Sequence, residues 1–264
     1  MPTLSATIVV YNGAEEALAA AASVLRHTQK YALTLYLVDN ASPDHAGDTL
    51  QAALADGRFC CSSNQTVRLI CSSKNKGFGG GHNLVLSELD SDYHFILNPD
   101  ILVETDVLSD MADWMEQHPQ AAMARPSLNF PDGKEQILPL RKCSALALLY
   151  RQMPWLFFLK HFNDRYVMAD ADLSKPTQIE FCTGSFAMLR TDVMKKVGGF
   201  DEGYFMYVED ADLTQKVRQE GEVYLLPQFT AIHAWHRAPH TDIAHCRMQT
   251  KSMMRYFSKW GFRF

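Results

Sequence analysis

The segment Glu209-Asp210-Ala211-Asp212 sets three carboxylates within four residues at the start of an amphipathic run. Asp210, Leu213 and Val217 recur at helical spacing and share one face, while Glu209, Asp212, Lys216 and Gln219 fall on the other. The phase therefore predicts one inward acid, beneath an aromatic loop and beside two like charges. Such an acid holds its proton more tightly than usual, which suits a general base. The plainer alternative is a first-turn acid that satisfies free backbone N–H groups. A second acid follows an apolar strand in Asn98-Pro99-Asp100. An amide and a carboxylate oxygen on one tight turn suit a hard divalent cation, Mg2+ or Mn2+, that also binds phosphate oxygens. A proline turn with a capping acid is the alternative, with Glu104 and Asp106 nearby. Late in the chain, His233 and His236 sit with Arg237 and His240, without the spacing of a helical zinc site or a cysteine pair. One histidine meeting Asp100 across a cleft would complete a Mg2+ or Mn2+ site.

These side chains need a scaffold. Residues 1 to about 125 alternate strand and helix with short links. Ala6–Tyr11, Leu33–Asp39, Val67–Cys71 and Tyr93–Asn98 read as strands, and Ala14–His27 and Glu104–His118 as helices. Continuous apolar strands between helices predict an α/β fold with a mostly parallel central sheet flanked by helices. In such sheets ligands bind beyond the carboxyl ends of the strands. That edge carries Tyr11 and Asn12, Asp39 and Asn40, the stretch Lys74–Asn83, and Asn98 with Asp100. The stretch includes Gly77, Gly79, Gly80 and Gly81, and is read as a loop that leads into a helix over Leu84–Leu89. Its glycines allow close backbone approach to a ligand, and the helix start offers N–H groups to an anion. It fits neither the dinucleotide fingerprint nor a phosphate loop, and a plain tight turn is the alternative.

Beyond residue 125 the alternation weakens. Pro126–Pro139 contains Pro-Asp-Gly and predicts a hairpin, a smaller antiparallel portion. Arg141–Phe162 is strongly apolar but broken by Arg151, Pro154 and Lys160, which favours core or subunit packing over a membrane-facing surface. Asn163–Gln178 reads as a polar loop. Phe186–Arg190 and Val223–Leu226 read as strands, and a helix follows Thr191 and Asp192. His245–Phe264 is amphipathic, with Arg247, Lys251, Arg255 and Lys259 on one stripe and Met253, Tyr256, Phe257, Trp260 and Phe264 on another. It suits either an anionic membrane surface or a helix docked on the domain.

Composition narrows the class. Of 264 residues, 47% are hydrophobic and 21% charged, an ordinary globular balance able to bury a large core. The net charge of −5 gives no global field that would attract nucleic acid. The first residues lack a signal-peptide pattern, and no apolar run reaches the ~18 residues of a spanning helix. Six cysteines without CxxC pairs are read as reduced thiols in the cytoplasm.

Together these stretches resemble a family 2 glycosyltransferase of the GT-A fold, in particular the bacterial rhamnosyltransferase-like branch. The matching residues are Ile8–Asn12, Leu37–Ser42, Asn75–Asn83, Leu97–Asp100, Thr183–Ser185, Gly198–Glu202, Phe205–Asp210 and His233. The resemblance runs from the first strand to about residue 240. It implies a domain over 1–240, with a nucleotide-binding half to about 125 and an acceptor half from 126, followed by the amphipathic helix 241–264. It implies that Asp39, framed by Tyr11 and Asn12, binds the nucleotide base, with Gly77, Gly79 and Asn83 beneath the nucleotide. Asn98, Asp100 and His233 belong to the metal–diphosphate site, and Asp210 is the base. Thr183, Gly184, Asp201 and Glu209 line the sugar pocket. Two departures stand out: Asn98 replaces the first acid of a DXD, and His82 stands where Asn or Arg is more usual. The branch implies inverting transfer of L-rhamnose from dTDP-L-rhamnose to a lipid-linked or core oligosaccharide of the bacterial surface. It also implies a cytoplasmic enzyme, peripheral to the inner membrane and open to oligomerisation. UDP-hexose donors remain open. A sugar nucleotidyltransferase would carry a basic loop after its first strand, where Tyr11–Glu15 has none, and a non-catalytic scaffold would not need four intact site residues.

Overall fold

β1 (Leu4–Val10) is buried along all seven residues, as a strand with helices on both faces must be. It runs parallel to β2 (Leu33–Asp39), which pairs with β3 (Gln65–Cys71), and on its other side to β4 (Tyr93–Leu97). The links are α1 (Ala14–His27), α2 (Ala46–Ala55) and α3 (Gly77–Asn83). The computed structural model describes residues 1–59, 61–235 and 243–262. The chain continues through β5 (Ile101–Leu102), α4 (Val107–Gln117), β6 (Ala121–Asn129), α5 (Ala145–Gln152), a 3-10 turn at Phe157–Leu159 and α6 (Lys160–Tyr166). β7 (Thr177–Gln178), β8 (Phe186–Arg190), α7 (Thr191–Lys196), α8 (Glu209–Val217), β9 (Glu222–His233) and α9 (Ile243–Trp260) complete it.

The sheet order is β3-β2-β1-β4-β8-β6-β9-β5, with β7 added on β9. β8 runs antiparallel to β4, with Leu97 opposite Phe186, so the chain enters β8 at the edge where β4 ends. β9 brings His233 opposite Ile101, one residue past Asp100. Register alone therefore collects Asp39, Asn98, Asp100, Thr183 and His233 on one edge.

Two cores cover the sheet. Leu4, Ala6, Ile8 and Val10 pack with α1, α2 and α4, while Val9 packs on the opposite side with Val85, Phe200, Leu213 and Val217. A third cluster joins Cys143, Ala147 and Tyr166 to Tyr204 and Ala211, and to Tyr256 and Phe257 of α9.

Several expectations need correction. The glycine run is itself the helix α3, and residues 84–88 form turns instead. Helical Gly79 and Gly81 lie against Phe200 and Val9, where a Cβ would approach to 2.7 and 2.6 Å, so close packing overrides their low propensity. The helical phase of α8 misjudged Glu209 and Asp212, both of which are buried, Asp212 fully. α9 covers that face: Trp260 Nε1 donates to Asp212 Oδ1 at 2.7 Å and Lys259 Nζ lies 2.9 Å from the same carboxylate. The C-terminal helix is thus docked on the domain. α2 and β6 had no clear signal, and residues 163–166 of the expected loop are helical. Pro-Asp-Gly does turn a hairpin, closed by a bridge between Asn129 and Glu135. Cys71, Cys143 and Cys182 are free thiols. Cys60, His236, Arg237, His240 and Phe264 lie outside the described residues.

Candidate active site

Asp39 ends β2 opposite Val10 and is buried, with Oδ1 accepting the Ser42 N–H at 3.2 Å. Ser42 Oγ accepts the Asn12 N–H at 3.0 Å, so the two loops form one rim, and Tyr11 stands half exposed beside it. Asn40 fastens the next loop: its amide donates to Asn75 Oδ1 and to the Gly77 carbonyl, and its Oδ1 accepts the Lys76 N–H. Gly77 has φ of 73° and lies against the Phe205 carbonyl, which a Cβ there would meet at 1.9 Å. Only glycine fits that contact. It joins the rim at the ends of β1 and β2 to the loop before α8.

At the end of β4, Asp100 Oδ2 accepts the Trp235 N–H at 2.9 Å and Oδ1 lies 3.4 Å from His233 Nε2. Asn98 Nδ2 lies 3.5 Å from the same nitrogen. Gln136 decides the tautomer. Its Nε2 donates to the His233 carbonyl at 2.7 Å, which leaves Oε1 facing Nδ1 at 2.9 Å. Nδ1 must then carry a proton, and the lone pair of Nε2 faces a carboxylate oxygen. Two acceptors so close require positive charge between them, a proton or a cation. Burial pulls Asp100 upward, but the His233 contact and backbone N–H groups outweigh it and hold the carboxyl below its ordinary range. Among the described residues no group of three or more His, Cys, Asp or Glu converges. Asp100 and His233 would supply two ligands, leaving the others to diphosphate oxygens and water, an arrangement that suits Mg2+ or Mn2+. Trp235 stacks on His233 at 6.1 Å and on Phe130 at 5.7 Å, completing the wall. Behind Gln136 a cavity of about 690 Å³ runs along Arg125, Glu135, Leu140 and Leu225.

Asp210 faces this centre across the loop Thr183–Ser185. Its Oδ2 accepts the Gly184 N–H at 3.0 Å, and the Ser185 carbonyl accepts the Asn98 N–H at 2.9 Å. A Cβ on Gly184 would meet the Phe78 ring at 2.9 Å and the Asp210 Cβ at 3.3 Å. Burial raises Asp210, while N–H bonds from Gly184 and Ala211 oppose the rise. Its neighbour Glu209 is buried with Oε2 unpartnered, and burial with the Asp210 charge pushes it up to about 8. Of this coupled pair Glu209 therefore keeps the shared proton, and Asp210, the one with N–H partners, stays the carboxylate. Tyr207 and Val208 precede them with φ of 73° and 56°, left-handed values that cost a β-branched residue ~1–3 kcal/mol. That strain aims the first turn of α8 at the edge.

Other expected residues lie differently. Asn83 donates to the Phe200 carbonyl and accepts its N–H, both at 2.9 Å, so it tethers a loop. Asp201 is taken by Arg255 at 2.8 Å and Lys259 at 3.4 Å and docks α9 instead of lining the sugar pocket. His82 is wholly buried between Phe78 and Phe200 with neither ring nitrogen partnered, and burial holds it well below its usual range. Thr183 bonds Ser185 at 3.2 Å, within the shared loop. Gln136 adds a positioning bond that no motif announced, whereas Asn40 stands on the strand edge, as expected.

Residues 5–198 match the family model of Glycosyl transferase family 2. Rhamnosyltransferase WbbL of Escherichia coli (strain K12) is 29% identical over 194 residues, which span 69% of this chain and 70% of that protein. The N-acetylglucosaminyl-diphospho-decaprenol L-rhamnosyltransferase of Mycobacterium tuberculosis is 25% identical over 243 residues, 83% of this chain and 73% of its own. The crystal structure of GalNAc-T7 with UDP, GalNAc and Mn2+ superposes with a TM-score of 0.70 at 13% identity, over 98% of this chain. The chain covers 48% of that larger structure, and the likeness is one of fold. A match over most of its length, on a sheet that gathers acids at one edge, establishes that the chain belongs to glycosyl transferase family 2 and is a glycosyltransferase of the GT-A fold.

Proposed function

We propose that the chain transfers L-rhamnose, with inversion, from dTDP-L-rhamnose to a hydroxyl of a lipid-linked or core oligosaccharide in bacterial surface-polysaccharide synthesis. Both curated relatives carry rhamnosyltransferase in their names, and one names a diphospho-decaprenol acceptor. Work on such an acceptor belongs at the cytoplasmic face of the inner membrane. The observation that carries the chemistry is the Thr183–Ser185 loop, with Asp210 bonded to Gly184 and Asn98 to Ser185.

Asp39 and Tyr11 hold the nucleotide base, and the Gly77 turn packs beneath it. Asp100 and His233, the latter fixed by Gln136, would hold a divalent cation. When bound, that cation neutralises the leaving nucleoside diphosphate. Asp210 accepts the proton of the acceptor hydroxyl at a carboxylate oxygen as that hydroxyl attacks the anomeric carbon. Glu209 stays protonated and gives the pair a single negative charge. One in-line displacement inverts the centre, so no side chain needs to act as a nucleophile.

Nucleoside diphosphate release from a panel of dTDP-, UDP- and GDP-sugars tests the reading. Release of dTDP from dTDP-L-rhamnose, dependent on acceptor and on Mg2+ or Mn2+, is expected. Selective use of a UDP-hexose would replace the donor assignment, and no release from any donor would overturn the proposal.

A further inference from the structure

The helices α5 and α6 pack on each other and are anchored at one end only. Cys143, Ala147 and Tyr166 are buried against Phe181, Tyr204, Tyr256 and Phe257. At the other end, where residues 153–159 join the helices, Trp155, Phe157 and Phe158 are 66%, 78% and 62% exposed, and Leu149 is exposed beside them. Single exposed apolar side chains are ordinary on a protein surface, but three aromatic rings within four residues form a patch. The same stretch, 141–166, carries Arg141, Lys142, Arg151, Lys160 and Arg165 against one acid, Asp164, in a chain whose net charge is −5. Asp164 pairs with Lys160 at 2.6 Å and Asp170 with Arg141 at 3.3 Å, so the excess of positive charge rests on Lys142, Arg151 and Arg165.

We propose that the tip Trp155–Phe158 seats the protein on an anionic lipid surface, with the rings in the headgroup boundary and the basic residues above it. Trp and Phe with a Lys/Arg collar are the composition of interfacial anchors, which insert ~5–10 Å. Charge complementarity favours this occupant. A second copy meeting the patch by two-fold symmetry would set the same basic collar against itself. The other basic amphipathic element, α9, has Arg255 and Lys259 on Asp201 and Asp212 and its Tyr256 and Phe257 buried. The proposal gives the lipid-linked acceptor reading its surface, and rests on that reading only for the acceptor.

Co-sedimentation of the full chain with phosphatidylglycerol-containing vesicles and with pure phosphatidylcholine vesicles tests it, and needs no sugar donor. The wild type is expected to bind the anionic vesicles, less so as salt rises. Trp155→Ser with Phe157→Ser and Phe158→Ser should weaken that binding at least ~10-fold, with the melting temperature unchanged because the three side chains face solvent. Lys160→Gln with Arg165→Gln should erase the preference for anionic over neutral vesicles. Absence of wild-type binding, or equal binding by the triple variant, would overturn the proposal. So would a wild-type dimer that the triple variant converts to monomer, since the patch would then be a subunit contact. Vesicle binding without any donor turnover would leave this surface standing and remove the transferase assignment alone.

Discussion

Asp100 and Asp210 are aspartates on one sheet edge, separated by a three-residue loop, and their surroundings drive them in opposite directions. Asp100 has His233 and two backbone N–H groups close by, which hold it charged despite burial. Asp210 has burial, which raises it against the opposing N–H bonds from Gly184 and Ala211. On the proposed mechanism that divergence matches two separate tasks, one to face cation and phosphate, the other to take up a proton. The means differ as well. The first is fixed by side-chain bonds through Gln136, the second by a strained backbone turn at Tyr207 and Val208.

The largest predicted effect comes from removing the proton acceptor. Asp210→Asn keeps the Gly184 bond and should lower acceptor-dependent nucleotide release by ~10²- to 10⁴-fold; a loss below tenfold would break the contrast. Asp100→Ala should cost ~10²- to 10³-fold, several kcal/mol of charge stabilisation. Gln136→Leu leaves Nδ1–H of His233 unpartnered and should weaken Mn2+ affinity ~10- to 100-fold in titrations, with Gln136→Glu recovering much of the loss.

Glu209→Gln is predicted to have the smallest effect on the maximal rate and the clearest effect on the pH dependence of stability. The base must be ionised, so activity rises as pH climbs through the raised pKa of Asp210. Glu209 still holds its proton there, so Glu209→Gln should leave that rise in place. Stability responds instead. The folded state binds the Glu209 proton more tightly than the unfolded chain, whose ordinary value is 4.5, so wild-type stability falls as pH rises from there through about 8. The melting temperature of Glu209→Gln should therefore gain on the wild type across that window, and a constant difference would deny the burial argument.

The half of the site built on parallel strands was legible in the sequence. Leu33–Asp39 and Ala14–His27 match their elements residue for residue, because long apolar runs and a clean helical period are local signals. What failed depends on distant partners. Asp212 looked solvent-facing until α9 covered it, and Asp201 looked like a pocket acid until Arg255 took it. Gln136 sits alone in a hairpin with no motif around it, and only the fold brings it to His233. Arg141–Phe162 read as core or subunit packing, yet among the described residues its middle is the most exposed aromatic patch. Hydrophobicity there marks a surface, and composition alone does not separate the two.

The most direct test of the opposed roles is nucleotide-sugar binding by calorimetry for Asp210→Asn and Asp100→Ala, each with Mn2+ and with EDTA. Asp210→Asn should bind donor like the wild type, with full dependence on Mn2+, while Asp100→Ala should bind weakly and alike in both conditions. Donor binding lost in Asp210→Asn, or Mn2+ dependence intact in Asp100→Ala, would contradict the assignment of the two acids.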